Sequence, residues 1–509
     1  MNSFTHLAGL WSDPRRRACW ATRATIAILA LGVAGWSLVK DFDKDEIEAV
    51  HSAWKMLHGE RIYVDFFQHH HPLLYAYLTP VIALCGERPA TLLACRVAMW
   101  PFLAGMLAAT YILGRRVFGR PAATIGVLLA LASWPLMVKA VEIRPDVPQV
   151  LCGMIALVLL FPRTRQAARR SALRTGAEAC VADHVYMVPG SAKERDFRGA
   201  KGDNPSVFDS PVLRHFLIGV CLGVAFLFLQ KALFLIAGIG LVVAWRVFAR
   251  ETGWAVLLAL PAGIAVVVVL FALWLAANGP LREYVFLNWT LNAHYRYQFG
   301  FDLTLRHVCK RESITVLFAA IACLGYLRNR RRWELAFLTL CLVGSIATVP
   351  APYLQYWMPA LPLVALLAGH GMLKLLRRRR RLLFILLVCS AVMPAVVEAA
   401  CQSGINFSHL KRIGYVLDVT APGDAVYDGD AQFNVFRRDI DYFWFSLSEH
   451  GALRSYQDLR PYEYDVYERI ARMKPKVISS HEIDNLADPR IQEHYTPSEQ
   501  YDGLLVRNR

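Results

Sequence analysis

ATIAILALGVAGWSLVKDFDKDEIEAVHSAWKMLHGERIYVDFFQHHHP, residues 24–72, joins two textures in one stretch. Residues 24–39 form an apolar run without a charge. It approaches the ~20 residues that an α-helix needs to cross about 30 Å of hydrocarbon. Immediately after it come Asp45 and Glu46, an amphipathic segment, Tyr63, Asp65 and three histidines, His69 to His71. Ionisable groups at the edge of a membrane are costly unless they are paired or used, so this stretch is a candidate reaction centre rather than a spacer.

Runs like the first recur along all but the last hundred or so of the 509 residues, 56% of which are hydrophobic. This is the pattern of a polytopic α-helical membrane protein; a barrel would show short alternating strands instead. The net charge of +16 raises nucleic-acid binding as an alternative. Its placement excludes that reading. Arginines cluster at the ends of apolar runs (Arg15–Arg17, Arg115-Arg116, Arg163 to Arg174, Arg328–Arg332, Arg377–Arg381), which is the positive-inside pattern. Most of the 11 cysteines lie inside apolar runs and none forms a CxxC, so they read as small buried side chains. The first run is long for a cleaved signal and reads as a retained span.

With the arginine clusters placed in the cytoplasm, about eleven spans follow. They are expected near 24–39, 91–113, 121–138, 147–162, 212–229, 232–248, 254–277, 313–327, 333–349, 357–374 and 382–399. The N-terminus is then inside, and the outer loop 40–90 carries a short apolar piece, Leu73–Leu84, that reads as an interfacial or re-entrant helix. Residues 163–211 form a polar insertion with the composition of a linker. Residues 1–400 thus form a transmembrane domain. Residues 401–509 form a small α/β or α+β domain on the outer face, in which DAVYDG, YFWFSL and PKVISS read as strands and YEYDVYERIARMKPK as a helix.

Under this map Asp45-Glu46, Asp65, the histidines, Glu142-Arg144-Asp146, Lys231 and Tyr353–Tyr356 all face outward, although the charge rule placed them without reference to chemistry. Carboxylates beside cations suit group transfer: a base takes a proton from an acceptor hydroxyl, and cations stabilise a departing phosphate. Asp45 is the candidate base, with Glu46 to orient it, and Asp146 is the second candidate acid; helix capping is the alternative for both aspartates, and a pair with Arg144 is a further one for Asp146. Lys231 is a candidate phosphate ligand or a snorkelling side chain. Consecutive histidines do not readily share one ion and no HExxH is present, so His70 reads as a phosphate contact rather than a zinc ligand. A divalent cation among the acidic residues is left open. Asn288-Trp289-Thr290 matches the glycan-acceptor pattern, a short motif that often matches by chance.

Asp45-Glu46, Gly59 and the Y-x-D-F-F-x-H-x-x-P pattern from Tyr63 to Pro72 resemble the first outer loop of GT-C membrane glycosyltransferases. The resemblance is nearest to the bacterial branch related to protein O-mannosyltransferases and lipid A aminoarabinose transferases. It is supported at Arg144-Pro145-Asp146, at Gln230-Lys231, and at Tyr356 to Pro362. It implies that Asp45 is the catalytic base, Asp146 a second outer acid, Lys231 a contact to a lipid phosphate, and polyprenyl-phosphate sugars the donors. Where such proteins often have Lys-Pro-Pro, this chain has His70-His71-Pro72.

The sequence is thus expected to encode an inverting glycosyltransferase of the bacterial inner membrane. It moves a sugar from a polyprenyl-phosphate donor to an acceptor hydroxyl of an envelope glycan, lipid or protein. Asp45, Glu46 and Asp146 are the catalytic set. Lys231, Arg144, His70, Tyr63, Asp65 and Tyr356 are the binding set. No metal ligand and no nucleic acid are assigned. The rival reading, a transporter or flippase of lipid-linked sugars, requires polar residues at mid-span and broken helices in repeated halves.

Overall fold

The computed structural model describes residues 14–162, 210–295, 299–327, 333–349, 351–401 and 405–508. Nearly all of the 163–211 insertion lies outside the described residues, as do Arg328–Arg332.

Helix α1 covers Pro14–Val39 and is followed at once by α2, Lys44–Leu57. Asp43 starts α2 through a capping box: its carboxylate accepts the Asp45 N–H (3.1 Å), and Glu46 accepts the Asp43 N–H (3.1 Å). The short apolar piece is a helix, α3, Leu73–Cys85. A long helix, α4 (Ala90–Val117), then runs from the α2 end to Arg115-Arg116 in its last turn. Gly119 (φ 92°) takes the left-handed turn that reverses the chain into α5, Arg120–Leu131. A tight π-type turn at Leu136–Ala140 leads to α6, Asp146–Leu160.

The chain continues through α7 (Pro211–Phe228), α8 (Ala232–Phe248), α9 (Ala255–Asn278) and a short α10 (Leu281–Val285). Next come α11 (Phe301–Arg311), α12 (Ser313–Leu327), α13 (Trp333–Ile346), α14 (Leu361–Leu376) and α15 (Arg380–Cys401). A helix therefore stands at each stretch expected as a span. By length and composition, three of the described helices are long and apolar enough to cross a membrane: α4, α7 and α9. The others are shorter and apolar, or in α15 flanked by arginines. Helix backbones approach closely where side chains vanish. A Cβ on Gly219 of α7 would lie 2.1 Å from the Leu260 carbonyl of α9, and one on Gly263 would lie 2.1 Å from the Phe216 carbonyl. Large apolar side chains point outward along the bundle, among them Ile28, Leu31, Leu258, Leu270, Leu324 and Phe384. Hydrocarbon covers such faces without cost, whereas water does not. The molecule is a polytopic α-helical membrane protein with a small C-terminal sheet.

That sheet follows α16, Phe407–Val419. Strands β1 (Val426–Tyr427), β2 (Val477–Ser479), β3 (Tyr495–Pro497) and β4 (Leu504–Arg507) lie in the order β1-β2-β4-β3, with β1 and β2 parallel and the other pairs antiparallel. DAVYDG and PKVISS contain β1 and β2, and Val466–Met473 is helical, started by Asp465 and stopped at Lys474 in the left-handed region. YFWFSL is not a strand. Phe443, Trp444 and Phe445 are consecutive and all buried, which the alternating faces of a strand do not permit against one core. They pack instead against Phe67 and its neighbours.

The C-terminal segment is built into the stretch that joins α2 to α3. Tyr442 O accepts the Phe67 N–H (2.9 Å), Trp444 Nε1–H donates to Phe67 O (3.1 Å), and Tyr442 Oη–H donates to Tyr63 O (2.9 Å). On α2, His51 and Lys55 both reach the buried Asp439 carboxylate, at 2.9 and 2.6 Å. The other ring nitrogen of His51, Nδ1, lies 2.9 Å from Val435 O. The helix that carries Asp45 is therefore held from both sides, by the membrane helices and by the C-terminal segment.

Candidate active site

Asp45 stands in the first turn of α2, and Asp43 rather than Asp45 caps that helix. Its side chain is 39% exposed, and Oδ2 pairs with Arg144 Nη1 at 2.5 Å. Asp146 likewise is not a cap: Pro145 occupies that position and α6 has no side-chain cap. Both capping alternatives are thereby removed.

Arg144 is the hub. Its guanidinium faces Asp45 (2.5 Å), Glu142 (3.5 Å), Asp146 (3.5 Å) and Asp43 (3.9 Å). Beyond Asp146, Oδ1 faces Lys231 Nζ at 3.6 Å, too long for a good hydrogen bond. Lys231 sits over the Tyr356 ring, 3.2 Å from its centroid. Lys231 and Tyr356 also border a narrow crevice whose other walls include Phe234, Leu342, Ile346 and Val349. Around this point several buried polar atoms lack a partner among the described residues: Asp146 Oδ1, Gln149 Oε1, Gln230 Oε1 and both side-chain polar atoms of Asn288. Buried polar groups are normally satisfied by protein or by ordered water, so these atoms have hydrogen-bonding capacity to spare. Asn288 is fully buried, which removes it as a glycan acceptor.

On the other side, Lys139 bonds Asp43 (2.6 Å) and Glu142 (3.1 Å), and Lys40 bonds Glu142 (2.5 Å). Burial opposes ionisation of Asp43, but Lys139 and Arg144 outweigh it and hold its carboxyl well below the usual range. Burial also pushes Glu142 up, against the pull of Lys139 and Lys40.

Glu46, expected beside Asp45 in the catalytic set, is fully buried and anchored. Arg96 Nε donates to Oε1 (2.8 Å), Arg96 Nη2 to Oε2 (2.5 Å), and the Ile143 N–H to Oε1 (2.9 Å). It fixes α2 to α4 and to the 142–146 turn and has no oxygen left for substrate. Asp65 does not join the site: it is exposed and closes a turn with Arg61, whose backbone N–H and guanidinium it accepts (2.7 and 3.0 Å). Tyr63 is buried at φ 71°, and its hydroxyl donates to His70 O (2.7 Å). It shapes the histidine turn.

Two of the three histidines stay together: the His69 and His70 rings lie with centroids 4.1 Å apart. His69 also stacks on Phe67 and faces Tyr295, whereas His71 turns away to meet Phe226 and Tyr284 edge-on. Burial lowers His69 and His71 to about 4, and it lowers His70 well below the ordinary value, with His69, Lys231 and Arg144 adding repulsion. His70 is therefore a neutral ring near the two cations, able to donate one N–H. Among the described residues no set of three His, Cys, Asp or Glu side chains is arranged to hold a metal ion. Asp43, Asp45, Glu142 and Asp146 are each already paired with Lys or Arg.

Sequence reasoning missed Arg96, Asp43 and Lys139. Arg96 carried a signal: it is the one charge inside the apolar stretch ATLLACRVAMWPF, residues 90–102, and such residues are retained for a reason. Lys139 stood only three residues from Glu142.

No family model matches the sequence, and no curated protein matches it. Solved structures match in three dimensions. ArnT from Cupriavidus metallidurans bound to undecaprenyl phosphate superposes with a TM-score of 0.63 at 14% identity, over 95% of this chain and 97% of that one. The archaeal oligosaccharyltransferase AglB from Archaeoglobus fulgidus, in complex with an inhibitory peptide and a dolichol-phosphate, superposes with a TM-score of 0.52 at 11% identity, over 96% of this chain and 74% of that one. The chain has the fold these proteins share, the GT-C fold.

Proposed function

We propose that the protein is a membrane glycosyltransferase that moves a sugar from a polyprenyl-phosphate donor to an acceptor hydroxyl. The observation that carries this reading is the continuous array Asp45–Arg144–Asp146–Lys231, with one half-exposed carboxylate at one end and a lysine over an apolar crevice at the other. In this reading the crevice takes the start of the lipid tail, and Lys231, Arg144 and the neutral His70 hold the phosphate. Asp45 accepts the acceptor's hydroxyl proton. The acceptor oxygen forms a bond to the anomeric carbon, and the bond from that carbon to the phosphate oxygen breaks, with its electron pair leaving on the lipid phosphate. A single displacement of this kind inverts the anomeric centre. The cations act on charge as it develops. Likeness in fold to proteins solved with undecaprenyl phosphate and dolichol-phosphate supports the donor class. In this reading the chain sits in a bacterial inner membrane, with the site and the C-terminal segment on the periplasmic side and an envelope glycan, lipid or protein as acceptor.

The test is the release of polyprenyl phosphate when the purified protein meets an envelope lipid extract. Lys231→Ala is expected to weaken undecaprenyl phosphate binding about tenfold, because charge-assisted bonds to phosphate are lost. Lys231→Arg keeps part of it, since charge survives and geometry changes. Unchanged affinity in Lys231→Ala removes the residue from the site. Reporter fusions at Arg61, Val117, Gly190 and Arg509 are expected to read out, in, in and out; the last two positions lie outside the described residues. A cytoplasmic signal at Arg61 contradicts the sidedness.

A further inference from the structure

Glu48 lies one turn along α2 from Asp45, where i and i+3 side chains share a face. It is almost fully buried, yet among the described residues no lysine or arginine pairs with it; Arg144, which acts on it electrostatically, is paired with Asp45. Its hydrogen bonds fall on one oxygen. Gln68 Nε2 donates to Oε1 at 2.7 Å, and the Tyr75 hydroxyl approaches the same oxygen at 3.4 Å. Gln68 cannot turn around, because its own Oε1 accepts the backbone N–H groups of His69 (2.8 Å) and His70 (3.2 Å). Glu48 Oε1 is thus an acceptor by construction, and Oε2 has no protein partner among the described residues.

We propose that Glu48 is a substrate-binding residue whose free Oε2 engages a hydroxyl of the transferred sugar beside Asp45. This rests on the glycosyltransferase reading above and names the group that recognises the sugar. Phosphate belongs at the Arg144–Lys231 end, so the sugar ring extends toward Asp45 and its neighbours. Those neighbours suit it. Tyr295, bonded through its hydroxyl to Ser446 (2.7 Å), faces His69 with ring centroids 6.0 Å apart, which gives flat surfaces beside the two carboxyl groups. A carboxylic acid both donates and accepts, as a sugar hydroxyl does, whereas a carboxylate only accepts.

The ionisable and polar groups that face Glu48 agree with the neutral form. Asp45 on its own helix repels a second charge. Gln68, Tyr75 and Tyr295 offer no cation, and Arg144 acts only from behind Asp45. Burial first, then Asp45, pushes the Glu48 carboxyl up to about 8. The form that donates is complete below that value and is lost as pH rises through it.

The experiment uses the full-length protein, an envelope lipid extract as donor source, and polyprenyl phosphate release as the rate. Thermal stabilisation by undecaprenyl phosphate, which carries no sugar, is the control. Glu48→Ala is expected to lower the rate at limiting extract about tenfold, the scale of a lost hydrogen bond plus its stranded partner. Glu48→Gln, which keeps a donor and an acceptor, stays within about threefold of the parent, and both variants keep the stabilisation by undecaprenyl phosphate. The parent's rate falls as pH rises through about 8, and that fall is absent in Glu48→Gln. Glu48→Ala at the parental rate overturns the proposal. So does Glu48→Gln as impaired as Glu48→Ala, which would mean that an ionised Glu48 pairs with a cationic substrate group. If Glu48→Ala fails to fold, the Glu48→Gln profile decides, and an unmoved alkaline fall overturns it. If the parent releases nothing and matches Asp45→Asn, the glycosyltransferase reading falls and takes this one with it; any failure confined to the Glu48 variants leaves that reading standing.

Discussion

Asp45→Asn is expected to cut sugar transfer about 10²-fold or more while leaving the fold and the binding of undecaprenyl phosphate nearly unchanged. The physical basis is local. Asn preserves shape at the first turn of α2, and the capping box uses Asp43 and Glu46, so helix initiation is untouched. Arg144 keeps Asp146 and Glu142 within 3.5 Å, so its buried charge remains compensated. What disappears is the one carboxylate of the array that is half exposed and able to take a proton. Transfer rate is measured against extract concentration, and thermal stabilisation by undecaprenyl phosphate reports the phosphate site. A variant that transfers at the parental rate makes Asp45 a mere partner of Arg144 and moves the base elsewhere.

The largest structural effect is expected at Arg96. Its guanidinium is fully buried, pairs with Glu46 through two bonds, and also donates to the carbonyls of Ser37 (2.8 Å), Lys40 (2.6 Å) and Asp41 (2.9 Å). Arg96→Ala strands the Glu46 carboxylate in a dry site and leaves those carbonyls without donors. Breaking a buried pair from one side typically costs about 3–5 kcal/mol. The α1–α2 junction would loosen and with it the placement of Asp45. Folded yield in detergent and the unfolding temperature measure this directly. Arg96→Met with Glu46→Gln removes both charges and is expected to recover much of the loss. A single Arg96→Ala protein as stable as the parent would show that the pair contributes nothing to holding α2.

Much of the architecture was legible before folding. The apolar runs and the arginines at their ends located eleven helices, because a run that must satisfy its backbone in hydrocarbon has few alternatives to a helix. Asp45, Arg144, Asp146 and Lys231 gather because each stands at or just before the start of a helix, those of α2, α6 and α8. Strand assignment in the C-terminal segment was less secure. At Phe443 to Phe445 aromatic enrichment imitates a strand, but three consecutive side chains are buried against the Asp45 loop, a contact that no local pattern encodes.

Within the site, the chain alone named some of the residues but did not sort them. Asp45 and Glu46 are adjacent and chemically alike, yet successive helical positions point about 100° apart, at 3.6 residues per turn. One carboxylate therefore meets Arg144 at an open edge, and the other meets Arg96 inside the bundle. Asp65 and Tyr63 looked like site residues by proximity in sequence, but the turn at 61–65 spends them on Arg61 and on the His70 carbonyl. Glu48, with no motif of its own, acquires its chemistry from Gln68, Tyr75 and a missing cation. Sequence determined which charges reach the membrane edge, because burying them in lipid is prohibitive. Only the tertiary structure decided which of them are neutralised, because pairing depends on distances between helices that the chain order does not contain.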